Sequence, residues 1–134
     1  MRIVANVANA FNTPSIQVAT DGVVQAISIP PKPSGFGSAV NGGELLFLAL
    51  ATCYCNDLYR EAFARGMKIE AVEVEVSGDF GGRGEPAKEI SYRAKVQSDA
   101  SDADISLLLA ETDRVAEIQN TVRNGCAVTF ERST

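Results

Sequence analysis

The fold of this chain is decided by the stretch Gly42-Gly-Glu-Leu-Leu-Phe-Leu-Ala-Leu-Ala-Thr-Cys-Tyr-Cys-Asn56. Between its Glu44 and its last Cys, only Glu44 and Thr52 are clearly polar, and the dominant Leu and Ala are good helix formers. Apolar side chains all round a helix predict burial on all sides. The run of about 12 residues is shorter than the roughly 20 that cross a bilayer. It therefore predicts a buried core helix that carries two thiols, Cys53 and Cys55.

Strand patterns stand on both sides of this helix. Residues 1–29 contain short alternating runs, with turn signals at Asn12–Pro14 and at Asp21-Gly22, and Val23–Ile29 is the predicted returning strand. The helix is predicted to end near Arg65, before Gly66 as a C-terminal cap. A hairpin is predicted next, from two alternating runs at 68–77 and 89–97. Its strands would place cations across from carboxylates, with Lys88, Arg93 and Lys95 opposite Glu73 and Glu75.

The last third of the chain predicts one more helix and one more strand. Ser101 is the N-cap candidate of a helix that runs to about Gln119, with a break near Thr112-Asp113. Cys126–Glu131 reads as a closing strand. Because strands and helices are segregated, the pattern indicates an α+β fold, and we expect one domain over residues 1–134.

Composition excludes several classes of function. The 12 Lys and Arg against 17 Asp and Glu give a net charge of −5, and without a basic cluster we expect no nucleic-acid partner. We expect no membrane partner and, without an export signal, a cytoplasmic protein with reduced thiols. The chain has no histidine, the commonest general base and metal ligand. Three cysteines cannot form a four-thiolate zinc site, so we expect no metal and no cofactor.

The side chains that remain as candidates for catalysis are therefore thiols, carboxylates, Arg and Lys. Cys126 follows Cys53 by 73 residues, directly after the Asn124-Gly125 turn signal. Cys55 lies about 200° from Cys53 around the helix axis, so at most one of the two can meet Cys126. From the residues alone, Cys53 is either a small buried hydrophobe or a redox centre.

Two motifs resemble those of a known family. Residues 45–53 are similar to the E-L-L-x-A-A-L-A-x-C helix of the OsmC/Ohr family of hydroperoxide-reducing proteins. Gly125-Cys-Ala-Val-Thr129 resembles the family's second motif, C-P-V-S, with Ala127 in place of Pro. Residues 66–78 are similar to the strand that follows the family's helix, and the resemblance covers about residues 40–130.

This resemblance implies an intertwined homodimer in which antiparallel β-sheets wrap around central buried helices. It implies a thiol-dependent peroxidase that reduces organic hydroperoxides in oxidative-stress defence. Cys53 would be the peroxidatic thiol and Cys126 the resolving thiol, joined in a Cys53–Cys126 disulfide that a dithiol of the lipoyl type reduces.

The chain departs from the family at the groups that support the thiol. Strong peroxidases of the family carry a Glu ten residues before the first Cys, paired with an Arg of an N-terminal loop, but that position here is Gly43. Glu44 lies nine residues before Cys53 and is either a supporting residue or a helix-start residue. The sequence offers Arg2, Arg114 and Arg123 as sources of the missing positive charge.

These departures keep two alternatives open. The first is a non-catalytic protein on the same dimeric scaffold that binds a small apolar ligand. The second is a structural or interaction module whose thiols only pack.

Overall fold

The computed structural model describes residues 1–11 and 13–133 of the chain. Along these residues the order of elements is β1 (Ile3–Ala10), β2 (Thr13–Thr20), β3 (Val23–Ala26), α1 (Gly42–Ala64), β4 (Ala71–Phe80), β5 (Ala87–Gln97), α2 (Asp102–Val115) and α3 (Glu117–Asn124). The predicted α+β class is confirmed, because the sheets are antiparallel and the helices segregate from them. The chain divides into two compact units, Met1–Leu45 and the residues from Leu46 onward.

The first unit holds an antiparallel sheet in the order β1-β2-β3. The hairpin predicted at Asp21-Gly22 is confirmed, since both residues have the positive φ of a type I′ turn, 48° and 84°. The returning strand is shorter than predicted and ends at Ala26. Of the turn predicted at Asn12–Pro14, Thr13 and Pro14 belong to β2, and Asn12 lies outside the described residues.

Helix α1 has a well-defined cap at each end. The Glu44 N–H donates to Asn41 Oδ1 over 2.9 Å, and the Asn41 N–H donates to the Glu44 carboxylate over 2.7 Å. This reciprocal pair is a capping box, which satisfies two N–H groups that a helix start leaves free. At the other end Gly66 has φ 67°, and the Met67 N–H donates to the Ala62 carbonyl, as in a Schellman motif.

The second unit packs the β4–β5 hairpin against α1 and α2. The predicted cross-strand charge pairs are confirmed for two of the three cations, since Glu73 faces Lys95 and Glu75 faces Arg93 with a 2.9 Å ion pair. The prediction is wrong for Lys88, which faces Asp79 because the register shifts between Ser77 and Asp79. The opposite face of the hairpin is half-buried and packs on the core. The buried centre of that core consists of Tyr54, Leu58, Ala62, Leu108 and Ala116.

The end of the chain differs from the prediction in two ways. A break at Ala116 (φ −70°, ψ 107°) separates α2 from α3, whereas Thr112 lies within α2, fully buried, and its hydroxyl donates to the Leu108 carbonyl. The strand predicted at 126–131 is wrong, because this segment pairs with no strand in the described part of the chain. Val128 and Phe130 in it are 93% and 90% exposed. None of the helices that the structure describes has the length and apolar character of a membrane span.

Candidate functional site

The site is built around Cys53, which is half-buried at the middle of α1. Asp57 lies one turn further along the same helix face, since residues four apart in a helix are neighbours. The Cys53 thiol donates a hydrogen bond to Asp57 Oδ2 over 3.6 Å. Asp57 itself is only 5% exposed, although it is a charged residue type that is rarely buried without a partner. The sequence thus places a buried carboxylate beside the thiol.

The start of α3 supplies the second side of the site. The chain breaks at Ala116 and begins α3 at Glu117, and in the first turn of α3 the Ile118 N–H donates a hydrogen bond to the sulfur. Glu117 Oε2 lies 4.0 Å from the Cys53 sulfur. Gln119 is buried and fixes this arrangement, because its Nε2–H donates to the Leu50 carbonyl of α1 over 2.8 Å.

Arg60 links the two carboxylates. Its guanidinium Nη1 lies 3.0 Å from Asp57 Oδ1 and 3.8 Å from Glu117 Oε1. The Asp57 side chain is 7% exposed, whereas those of Arg60 and Glu117 are 52% and 67% exposed. Arg60 therefore reaches from solvent onto a buried carboxylate, which it partly neutralises.

The electrostatics of the site disfavour a resting thiolate. Burial raises the pKa of the Cys53 thiol above its ordinary value, and the carboxylates of Asp57 and Glu117 raise it further, while the Ile118 N–H lowers it. Burial also raises the pKa of Asp57, and Glu117 adds to this rise, whereas Arg60 opposes it. At neutral pH Cys53 is thus held as a thiol with an acceptor at hand.

The same three side chains could offer ligands to a metal ion. One donor atom each from Cys53, Asp57 and Glu117 lies within 4.8 Å of the others. Sulfur with two carboxylate oxygens is a donor set that zinc accepts. The Arg60 guanidinium, however, already provides the positive charge at both carboxylates. Thiol chemistry fits this arrangement without any further group.

The remaining predicted site residues lie elsewhere. Cys126 is an exposed free thiol in the segment after α3, without a hydrogen bond to Cys53 in the part of the chain that the structure describes. Glu44 makes the capping box of α1. Arg114 and Arg123 pair with Glu111 and Asp113. Cys55 is a half-buried free thiol on α1.

Sequence reasoning missed Asp57, Arg60 and Glu117. In the sequence Asp57 and Arg60 look like the polar end of the apolar run, although their spacing of four and seven residues from Cys53 places them on one helix face with it. No local signal indicates Glu117, because it lies 64 residues from Cys53 and reaches it through the tertiary fold.

A family model described as "OsmC-like protein" matches residues 35–131. The chain belongs to the OsmC-like protein family. This result confirms the resemblance that the helix motif and the Cys126 motif indicated in the sequence. No curated protein matches the chain in a sequence comparison.

Solved structures share the fold of this OsmC-like protein. An OsmC like protein from Mycoplasma pneumoniae matches with TM-score 0.68 and 18% identity over 92% of this chain and 88% of its own. An organic hydroperoxide resistance protein OsmC from Legionella pneumophila, also described as a predicted redox protein, matches with TM-score 0.59 and 20% identity over 92% and 90%. An organic hydroperoxide resistance protein from Elizabethkingia anophelis matches with TM-score 0.62 and 16% identity over 92% of this chain and 89% of its own. At these identities the similarity establishes the fold.

Proposed function

We propose that this OsmC-like protein is a cysteine-based peroxidase that reduces organic hydroperoxides in oxidative-stress defence. The position of the Cys53 sulfur carries this proposal, because an N–H donor from α3 and a buried carboxylate from α1 converge on a half-buried thiol. A thiol that only fills space needs neither group. The two relatives named as organic hydroperoxide resistance proteins support the choice of substrate.

The chemistry proceeds in three balanced steps. The Cys53 sulfur attacks the terminal peroxide oxygen, the O–O bond breaks, and the products are a sulfenic acid on Cys53 and an alcohol. The Cys126 thiol then condenses with the sulfenic acid, which forms the Cys53–Cys126 disulfide and releases water. An external dithiol of the lipoyl type reduces the disulfide and becomes oxidised itself.

The proposal includes a homodimer in the cytoplasm, with the two compact units of each chain forming one domain. Large apolar side chains remain exposed in both units, for example Val7 and Val23 in the first and Phe63 and Phe130 in the second. Exposed apolar surface of this extent is typical of a protein that associates. A reducing compartment would keep the three thiols free for turnover.

Substitution of single thiols tests the peroxidase. Dithiol-dependent reduction of an alkyl hydroperoxide is measured for wild type, Cys53→Ser and Cys55→Ser. We expect Cys53→Ser to fall to the uncatalysed rate, since serine cannot accept the peroxide oxygen. Cys55→Ser is the matched control from the same helix and is expected to retain turnover.

The resolving role of Cys126 has its own signature in the same assay. Cys126→Ser should still react once with hydroperoxide but should stop at the sulfenic acid, which a dimedone label detects on Cys53. A Cys126→Ser variant with undiminished dithiol-dependent turnover would show that Cys126 has no part in the cycle.

If wild type turns over no faster than Cys53→Ser, the peroxidase proposal fails. The alternative is then a non-catalytic OsmC-like protein that binds a small ligand on the same dimeric scaffold. Retention of a hydroperoxide-derived alcohol or acid by the unreactive wild type, measured by calorimetry, would favour it.

A further inference from the structure

The carboxylates at Cys53 look unfavourable for a peroxidatic thiol. They face the sulfur at 3.6 Å and 4.0 Å and hold the proton on it. The attack on a peroxide, however, also needs a proton at the leaving oxygen, because the alkoxide that departs when the O–O bond breaks is strongly basic. A group that takes the thiol proton and returns it to the alkoxide serves both needs.

We propose that Asp57 is this group: it accepts the Cys53 proton as the sulfur attacks and returns it to the departing alkoxide. The inference rests on the proposed peroxidase function and deepens it, since it assigns a catalytic residue to a chain that lacks the family's usual Glu. The Cys53 thiol already donates its hydrogen bond to Asp57 Oδ2. Asp57 therefore touches a reacting atom.

The proton and electron balance closes without another reactant. Cys53 S–H and ROOH give Cys53 S–OH and ROH, so that sulfur is oxidised and the peroxide is reduced. The proton leaves sulfur for Asp57 Oδ2 as the sulfur–oxygen bond forms. It moves to the alkoxide oxygen as the O–O bond breaks, and Asp57 is again a carboxylate.

Two neighbours prepare Asp57 and the sulfur for this transfer. The Ile118 N–H donates to the sulfur and stabilises the negative charge that appears there once the proton has left. Arg60 is a positioning residue, because it pairs with Asp57 Oδ1 over 3.0 Å and leaves Oδ2 to the thiol. The groups that bear on the thiol proton are thus Asp57 and Arg60 from α1, and Glu117 with the Ile118 N–H from α3.

Asp57 fits the role better than Glu117. Its oxygen is nearer to the sulfur, 3.6 Å against 4.0 Å, and its side chain is 7% exposed against 67%. A buried, ion-paired carboxylate holds one geometry, whereas an exposed glutamate must be ordered for each turnover. Glu117 therefore serves to anchor Arg60 from the other side.

The test compares two reactions of the same thiol. The rate constant for Cys53 oxidation by an alkyl hydroperoxide is measured at pH 7 beside the rate of alkylation by iodoacetamide. Alkylation releases iodide, which needs no proton. Asp57→Asn should slow oxidation by about 100-fold, the low end of what a positioned acid–base group contributes. It should leave alkylation unchanged or faster, because a charge that holds the proton on sulfur is gone.

Matched variants test whether the difference between the oxidation and alkylation rates is specific to the Asp57 carboxylate. Asp99→Asn removes one exposed carboxylate outside the site and should change neither rate. Asp57→Glu should recover part of the oxidation rate. If Asp57→Asn oxidises as fast as wild type or faster, the assignment is overturned. It is also overturned if the large loss of oxidation rate occurs in Glu117→Gln and not in Asp57→Asn.

The wild-type pH profile decides the matter if Asp57→Asn does not fold. With Asp57 as acceptor, the oxidation rate levels off below the thiol pKa while alkylation still rises with pH. Parallel rise of both rates up to the thiol pKa would overturn the role of Asp57. No oxidation above that of Cys53→Ser would instead overturn the peroxidase proposal itself.

Discussion

At the scale of single residues, the surroundings of Asp57 disfavour the charged form of its carboxylate. Burial and the neighbouring Glu117 raise its pKa, and Arg60 compensates in part. The folded state therefore binds the Asp57 proton more tightly than the unfolded chain does. This contribution to stability is fully present below the unfolded pKa and is lost as the pH rises through the folded pKa.

Replacement of Asp57 by Asn should remove this pH dependence. We expect Asp57→Asn to be at least as stable as wild type at pH 7, because the amide mimics the neutral acid. The free energy of unfolding, measured by urea titration between acid and neutral pH, should fall in wild type relative to the variant as the pH rises. A variant that is less stable at pH 7 than at acid pH, relative to wild type, would show that Asp57 serves the fold rather than the thiol.

The sequence indicated the thiol of this site but not its surroundings. Cys53 was found because it lies in a motif, and motifs are local. Asp57 escaped notice because a carboxylate after an apolar run usually marks a solvated helix end. Glu117 could not be found, since its contact with Cys53 depends on how α3 folds back onto α1.

At the scale of elements, a buried phenol links α1 to α2 within their shared apolar core. Tyr54 is 3% exposed, and its hydroxyl donates to the Leu109 carbonyl over 2.7 Å. Its ring meets Tyr92 of β5 edge-on, with centroids 4.8 Å apart. Burial, and then the charge of Asp113, raises the pKa of Tyr54 to about 12, so the hydroxyl remains a donor at neutral pH.

Tyr54→Phe should therefore lower the free energy of unfolding by about 1–2 kcal/mol, since the partly buried hydrogen bond from the Tyr54 hydroxyl to the Leu109 carbonyl is lost. Tyr59→Phe makes the same change at a 45% exposed position of the same helix and should stay within about 0.5 kcal/mol. Denaturant titration at one fixed protein concentration measures both. Equal effects of the two variants would contradict a specific role for the Tyr54 hydroxyl.

Elements with a local signal could be predicted, and those that depend on distant contacts could not. The β4–β5 hairpin followed from the alternation of Val and Glu, and its register placed Arg93 and Lys95 as expected. The break between α2 and α3 was misplaced, because Thr112 and Asp113 look like helix breakers in sequence. In the fold Thr112 satisfies its hydroxyl on the Leu108 carbonyl and continues the helix.

At the scale of the whole molecule, large apolar side chains are exposed on the surface of the chain. Strand β1 is exposed along its entire length, so neither of its faces is buried within the chain. The segment after α3 has strand-like alternation, with Cys126, Val128 and Phe130 on one side, but no strand pairs with it in the described residues. Alternation shows that a segment can form a strand, not which chain provides its neighbour.

The proposed homodimer would cover the segment after α3. A substitution at Phe130 tests this. Phe130→Glu places a charge where the dimer would bury an aromatic ring that is 90% exposed in the single chain. We expect wild type to sediment at twice the 14.2 kDa chain mass and the variant to dissociate at concentrations at least about tenfold higher.

Thr129→Glu is the matched control, because it adds the same charge to the same segment but on the opposite side of the strand that this segment would form in the proposed dimer. It should weaken the dimer less than Phe130→Glu does. A wild type that sediments as a monomer at all concentrations would contradict the dimer. Because Cys126 lies four residues before Phe130, loss of the dimer should also lower the rate of disulfide formation from the Cys53 sulfenic acid, while the first reaction with hydroperoxide continues. This separation would show that the second chain orders the resolving thiol rather than the peroxidatic one.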